Sequence, residues 1–223
     1  MQSNIHDQRL VEKWLTGWSL SRHSPLPVKN GAAFRVDVGW PQQKTRYVFP
    51  RFVDEFIHLA HTITEPWVFL KVCAAPEVIS SRMPSQWVIQ PPGFLMTCSL
   101  PMSAKNIGLP DGYLLAMKEE APAFIVKILT IEGDTAATGR LVFVDDIVVY
   151  DRIETVPEHR RKGLATIVLL ALENLALSRG ITTGVLVATE AGKALYETLG
   201  WEVYSLYTSV VIPGREESGN SLG

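Results

Sequence analysis

Apolar residues recur near helical spacing at the start of the chain, at Ile5, Leu10, Val11, Trp14, Leu15 and Trp18, and predict an amphipathic helix from Ile5 to Leu20. Pro25 and Pro27 end it. The period then changes. Phe34, Val36 and Val38 alternate with polar residues as in a strand, and Gly39 to Thr45 turns the chain towards a second strand over 46–49. A compact amphipathic helix is expected over 52–62, a buried strand over 67–72 and a short helical piece over 77–83. Extended segments over 87–90 and 94–98 flank Pro91-Pro92-Gly93.

Residues 99–111 carry Pro101, Gly108 and Pro110 with no clear period, and mark the expected boundary. Four strands follow, over 113–118, 123–131, 136–144 and 147–155, with turns at Gly133-Asp134 and Asp145-Asp146. A strongly apolar helix over 164–177 is closed by Ser178-Arg179-Gly180. Then come a β-branched strand over 184–189, a helix over 191–199 ended by Gly200, and a closing strand pair over 201–204 and 208–212. No internal repeat is visible. The expected organisation is an α/β segment over 1–105, a compact domain over 106–213 and a flexible, polar tail over 214–223. Four strands, helix, strand, helix and two strands predict a mixed α+β architecture, a mostly antiparallel twisted sheet with helices packed on its faces.

Composition narrows the class. Of 223 residues 47% are hydrophobic and 20% charged, enough to bury a real core. A net charge of -2 argues against a nucleic-acid or anionic-membrane surface, so any basic patch is local and suits one small anion. Cys73 and Cys98 are too few for a disulfide framework or a cysteine zinc site. Met1 to Gln8 lacks the apolar run of a signal peptide, and the apolar stretch Leu164 to Leu172 is too short to span a bilayer. A soluble, cytoplasmic protein is expected. His58 and His61 share a helical face with no carboxylate or cysteine at ligand spacing, so no metal is expected.

The candidate chemistry centres on Arg160-Arg161-Lys162-Gly163-Leu164-Ala165, between the strand ending at Thr155 and the apolar helix. The first-turn amides of a helix are unpaired donors at its positive end, and three basic side chains add charge beside them. This reads as a phosphate-binding turn, against the plainer reading of a solvated basic loop.

Arg160-x-x-Gly163-x-Ala165, the preceding Ile153-Glu154-Thr155-Val156-Pro157-Glu158 and the later Ala194-Leu195-Tyr196-Glu197-Thr198-Leu199-Gly200-Trp201 together resemble the GNAT superfamily of acyl-CoA-dependent N-acyltransferases. The resemblance covers roughly 112–213 and implies acetyl-CoA as co-substrate, no metal, and a small-molecule or peptide amine as acceptor. It implies that amides from Arg161 to Ala165, including Lys162, Gly163 and Leu164, hold the pyrophosphate, with the Arg160, Arg161 and Lys162 side chains near other phosphates. Backbone groups of Ile153 and Thr155 would pair with the pantetheine as an added strand does. It also implies that Tyr196 protonates the departing thiolate, whereas periodicity alone leaves it an aromatic packing the helix on the sheet.

Asp151 and Glu154 are the candidate general bases, on opposite faces if the strand alternates regularly; pairing with Arg152 or solvation is the competing reading for each. Two departures stand out. Thr189 occupies a position where many members carry an asparagine for the pantetheine. The helices that usually follow the first strand are missing between Lys118 and Ala123, and the segment 1–105 is expected to supply the missing cover over the acceptor site. Paired sheets and swapped strands are common in the family, which leaves a homodimer open. The leading expectation is an N-acetyltransferase working by direct attack in a ternary complex. The alternative is a non-catalytic acyl-CoA-binding sensor or interaction module.

Overall fold

A computed structural model describes residues 2–103 and 107–214, the side chains of residues 2–7 excepted. Beyond Gly214 the expected tail lies outside the described residues, and so does the 105–106 boundary. Helix α1 (Gln2–Ser21) buries Val11, Trp14, Leu15 and Trp18, a single stripe at i, i+3, i+4 and i+7. The short strand β1 (Val28–Asn30) pairs with β2 (Ala33–Trp40), which makes a hairpin with β3 (Gln43–Phe49). Helix α2 (Asp54–Thr62) crosses over so that β4 (Val68–Val72) lies parallel to β3. Helix α3 (Glu77–Ser80), β5 (Val88–Ile89) and β6 (Gly93–Cys98) follow.

Strands β7 (Tyr113–Glu120), β8 (Ala123–Thr130), β9 (Thr135–Val144) and β10 (Ile147–Thr155) form an antiparallel meander. Helix α4 (Leu164–Ser178) then carries the chain to β11 (Gly184–Thr189), parallel to β10, and α5 (Glu190–Thr198) leads into β12 (Glu202–Val211). The expected mixed, mostly antiparallel sheet with flanking helices is what the chain builds. One element differs. The segments 201–204 and 208–212 are not a strand pair: Glu202 to Val211 is one continuous strand with a bulge between Val203 and Ser205. No glycine, proline, asparagine or aspartate lies between Trp201 and Ile212, so nothing there favours a turn.

The twelve strands of the described residues belong to one sheet, ordered β1-β2-β3-β4-β12-β6-β11-β10-β9-β8-β7, with β5 against β12. Within it, one topology occurs twice. A hairpin (β2–β3), a crossover helix (α2), a parallel strand (β4) and a helix (α3) precede β6; the same order of hairpin (β9–β10), α4, β11 and α5 precedes β12. The closing strands are exchanged. β6 pairs with β11 of the second unit, the far end of β12 pairs with β4 of the first, and β6 and β12 pair with each other. The sequence hides this repeat because the two crossover helices have 9 and 15 residues and share no motif.

Helices α4 and α5 cover one sheet face, α4 burying Leu164, Val168 and Leu172 against β8, β9 and β10, and α5 burying Tyr196 over β6 and β11. On the opposite face α1 packs against Val36, Val38 and Val48 of the first unit together with Val149 and Val185 of the second. Its approach to β10 is close: a Cβ on Gly17 would lie 2.4 Å from Val149 Cγ2.

Candidate active site

β10 and β11 are in register only at Val148↔Gly184 and Val149↔Val185, after which β10 departs while β11 stays paired with β6 along its full length. A gap therefore opens in the sheet beside Tyr150 and Asp151. At its edge β10 bulges: its pairing with β9 jumps between Asp151 and Glu154, and Arg152 sits at φ +51°. The 152–153 backbone is thus outside the ladder on both sides. The bulge also resets the alternation. Asp151 faces Arg140 and Glu154 faces Thr138, two residues apart on β9, so both carboxylates lie on one face rather than on opposite faces.

Asp151 is firmly held. Arg22 donates to it from Nε at 2.9 Å and Nη2 at 2.7 Å, and Ser21 Oγ donates at 2.8 Å. Ser21 ends α1 and Arg22 follows it, and the Ser21 carbonyl accepts in turn from Arg140. Glu154 is exposed. It lines a concavity of about 570 Å3 with Arg140, Arg152, Thr138, Lys127 and Lys118 on the open face of β7 to β10. Burial, with Arg22 and Arg140 nearby, lowers the Arg152 guanidinium from its ordinary value.

Beyond β10 a single 3-10 turn, Pro157–His159, leads to Arg161 at φ +63° and Gly163 at φ +76°. Gly163 is the N-cap of α4 and no side chain caps that end, so the first-turn amides are left for a ligand. The left-handed conformation favours glycine. The turn is braced from β7: Lys162 Nζ donates to Tyr113 Oη at 2.9 Å, and that hydroxyl lies 2.8 Å from His159 Nδ1. Arg160 Nε donates to the Thr155 carbonyl at 3.2 Å, while Arg161 is exposed. Leu164 is buried and anchors the helix start; Ala165 is half-buried. Thr155 Oγ1 is buried beside this turn with no hydrogen-bond partner among the described residues, and Ile153 packs on the α4 side. These features suit the phosphates and pantetheine amides of an acyl-coenzyme A.

Tyr196 projects from α5 into the core, its ring 5.7 Å from Trp201, which stacks edge-on with Tyr150 at 5.2 Å. Burial, then the charge of Asp151, raises its phenol well above the ordinary value, so the group keeps its proton at neutral pH. Thr189 has a structural duty: its Oγ1 accepts from the Gly192 amide and caps α5. The structure thus brings Asp151, Tyr196 and the bulge together at the gap, with the phosphate turn at the end of β10 and Glu154 on the open face. Sequence reasoning did not find Arg22, Ser21 or Tyr113. They act across 129, 130 and 46–49 residues of chain, and no local pattern marks such partners.

The sequence model of the acetyltransferase (GNAT) family matches residues 96–201. No curated protein matches the chain in sequence. Among solved structures, a GCN5-related N-acetyltransferase from Kribbella flavida is similar over 93% of this chain and 95% of its own, with TM-score 0.65 and 17% identity. A GCN5-related N-acetyltransferase-like protein from Streptococcus suis is similar over 93% and 98%, with TM-score 0.55 and 12% identity. A tandem GNAT protein from the clavulanic acid biosynthesis pathway is similar over 71% and 68%, with TM-score 0.53 and 14% identity. At such identities these likenesses speak for the fold.

Proposed function

We propose that this chain, whose residues 96–201 match the acetyltransferase (GNAT) family model and which has the fold of GNAT proteins, moves an acetyl group from acetyl-CoA to a primary amine by direct attack in a ternary complex. The observation that carries this reading is the sheet gap between β10 and β11, flanked by an uncapped helix start on one side and a buried tyrosine on the other. Acetyl-CoA supplies the activated thioester; the chain's residues position it and manage the protons.

The amides of residues 161–165 hold the pyrophosphate, with Arg161 reaching outward to a further phosphate. The backbone at Ile153 and Thr155 pairs with the pantetheine, and the unpartnered Thr155 hydroxyl offers one more bond. An amide of the 152–153 bulge holds the carbonyl oxygen as negative charge develops on it. Tyr196, kept protonated by burial, gives its proton to the departing sulfur. Glu154, exposed on the acceptor side, takes the amine proton directly or through water. Asp151, saturated by Arg22 and Ser21, holds the end of α1 against the gap. The segment 1–105 covers the acceptor side through α1.

Among the described residues no helix is long and apolar enough to cross a membrane; we place the reaction in the cytoplasm, with no metal and no nucleic acid. The test is calorimetry with acetyl-CoA, followed by thiol release on an amine panel. Tyr196→Phe is expected to retain acetyl-CoA affinity and lose roughly a hundredfold in kcat. Unchanged kcat overturns the acid role. Binding without release on any amine favours a non-catalytic sensor instead.

A further inference from the structure

Two cations are buried in the first unit with no acidic partner. Arg46 on β3 is 6% exposed and Lys71 on β4 is 9% exposed. Among the described residues no carboxylate lies within ion-pair distance of either. Arg46 has its guanidinium carbon 3.5 Å from the centre of the Trp18 ring, and its Nε makes no hydrogen bond among the described residues. Lys71 Nζ donates to Ser209 Oγ at 2.9 Å and lies over Phe69 at 4.7 Å and Tyr207 at 5.7 Å. The hydroxyl of Tyr207, whose ring lies near Lys71, is buried without a partner among the described residues. Arg22, 4.9 Å from the Trp18 ring and already paired with Asp151, lies beside the cluster.

A buried charge without a counter-ion is costly, and a second like charge beside it adds to the cost. Burial lowers Arg46 to about 10 and pushes Lys71 well below its usual range, with the charges of Arg46 and Arg22 as further causes for Lys71. Three independent features therefore ask for the same missing partner: an orphaned guanidinium nitrogen, an ammonium with one neutral acceptor, and an orphaned hydroxyl. Each of the three can bond an oxyanion. A guanidinium fork and an ammonium are the usual pair for a carboxylate or a phosphate.

The cluster is also correctly placed for an acceptor. It lies on the α1 face of the sheet, the face of Asp151 and Glu154. Arg22 links the two places, touching Trp18 and Trp40 beside Arg46 while binding Asp151 at the sheet gap. The Asp151 charge acts on both Arg46 and Tyr196. A depression of about 470 Å3, lined by Trp40, Pro41, Gln42, Gln43 and Phe69, meets the cluster at Phe69, the ring beside Lys71.

We propose that Arg46, Lys71 and the Tyr207 hydroxyl form the anion-binding end of the acceptor pocket, so that the amine is presented by a molecule that also carries a carboxylate or phosphate. This rests on the acetyltransfer reading given above. The two units then have separate roles, the second holding the donor and the first recognising the acceptor's charge.

The test uses the full chain and matched acceptors: amino acids against their amides, and phosphoethanolamine against ethanolamine. The expected result is a preference of at least tenfold in kcat/KM for the anionic member of one series, which also tells carboxylate from phosphate. Lys71→Met and Arg46→Gln are expected to erase that preference through KM, with acetyl-CoA affinity unchanged. Equal turnover of anionic and neutral acceptors overturns the proposal, as does a preference that survives both variants. Should those variants fail to fold, Tyr207→Phe removes only the orphaned hydroxyl, and an unchanged preference there counts against the site. Failure of acetyl-CoA to bind would instead bring down the acetyltransfer reading. The anion site is then judged by direct titration with acetate, benzoate and inorganic phosphate: saturable binding lost in Lys71→Met supports it, and no binding refutes it.

Discussion

Asp151 shows how a residue's chemistry is decided by partners that its own strand does not reveal. In sequence it is one of two carboxylates beside an expected thioester; in the fold it accepts three hydrogen bonds from Ser21 and Arg22. The Arg22 and Asp151 side chains are 22% and 9% exposed, so the pair is largely shielded from solvent. Removing one partner from such a pair typically costs about 3–5 kcal/mol. Asp151→Asn is therefore expected to destabilise the chain by up to that amount in urea unfolding, more than it changes acetyl-CoA affinity. Glu154→Gln, at an exposed site, is expected to leave stability within about 0.5 kcal/mol and to lower kcat. The phosphate turn was readable at this scale because its needs are local: a glycine at positive φ, a helix start and nearby basic side chains. The bulge was not. Ile147 to Thr155 reads as an uninterrupted strand, and the left-handed Arg152 that breaks it is not a residue that announces such a conformation.

Among the elements, α1 bears the most structural consequence. Its stripe of Val11, Trp14, Leu15 and Trp18 was legible from periodicity, but not which sheet it would meet. It meets both units at once, which only the closed topology determines. Gly17 marks the closest approach, and any larger side chain collides with Val149 beside the gap. Gly17→Val is expected to cost about 1–3 kcal/mol, the usual range for overpacking, and to lower activity by shifting β10. Circular dichroism with urea unfolding checks the first, and thiol release at matched folded fraction the second. The mistaken strand pair over 201–212 belongs to this scale too. The break expected over 205–207 falls where the strand instead passes from pairing with β6 to pairing with β4.

At the scale of the molecule, the exchanged strands make each unit incomplete alone. A fragment over 106–223 lacks β6 and so leaves β11 without its six ladder partners and β12 without five. It is expected to remain unfolded by circular dichroism; a cooperatively folded fragment with full acetyl-transfer activity would contradict both this and the covering role of residues 1–105. Alkaline stability reports on the whole core as well. Tyr150, Tyr196 and Tyr207 are all raised by burial, so above about pH 10 the unfolded chain loses phenol protons that the folded chain keeps. Stability falls as pH rises beyond that point. Lys71, lowered by burial, acts oppositely up to its unfolded value, so urea midpoints are expected to hold or rise before dropping. The exchange has a further consequence in time. When β4 leaves the ribosome, the strand that will cover its open edge, residues 208–211, is still about 136 residues away. At 5–20 residues per second that is roughly 7–27 s, during which the nascent first unit presents a bare hydrogen-bonding edge at Val68–Val72. Its maturation waits on synthesis, and crowded polysomes are where this protein is most exposed to mispairing with its own copies.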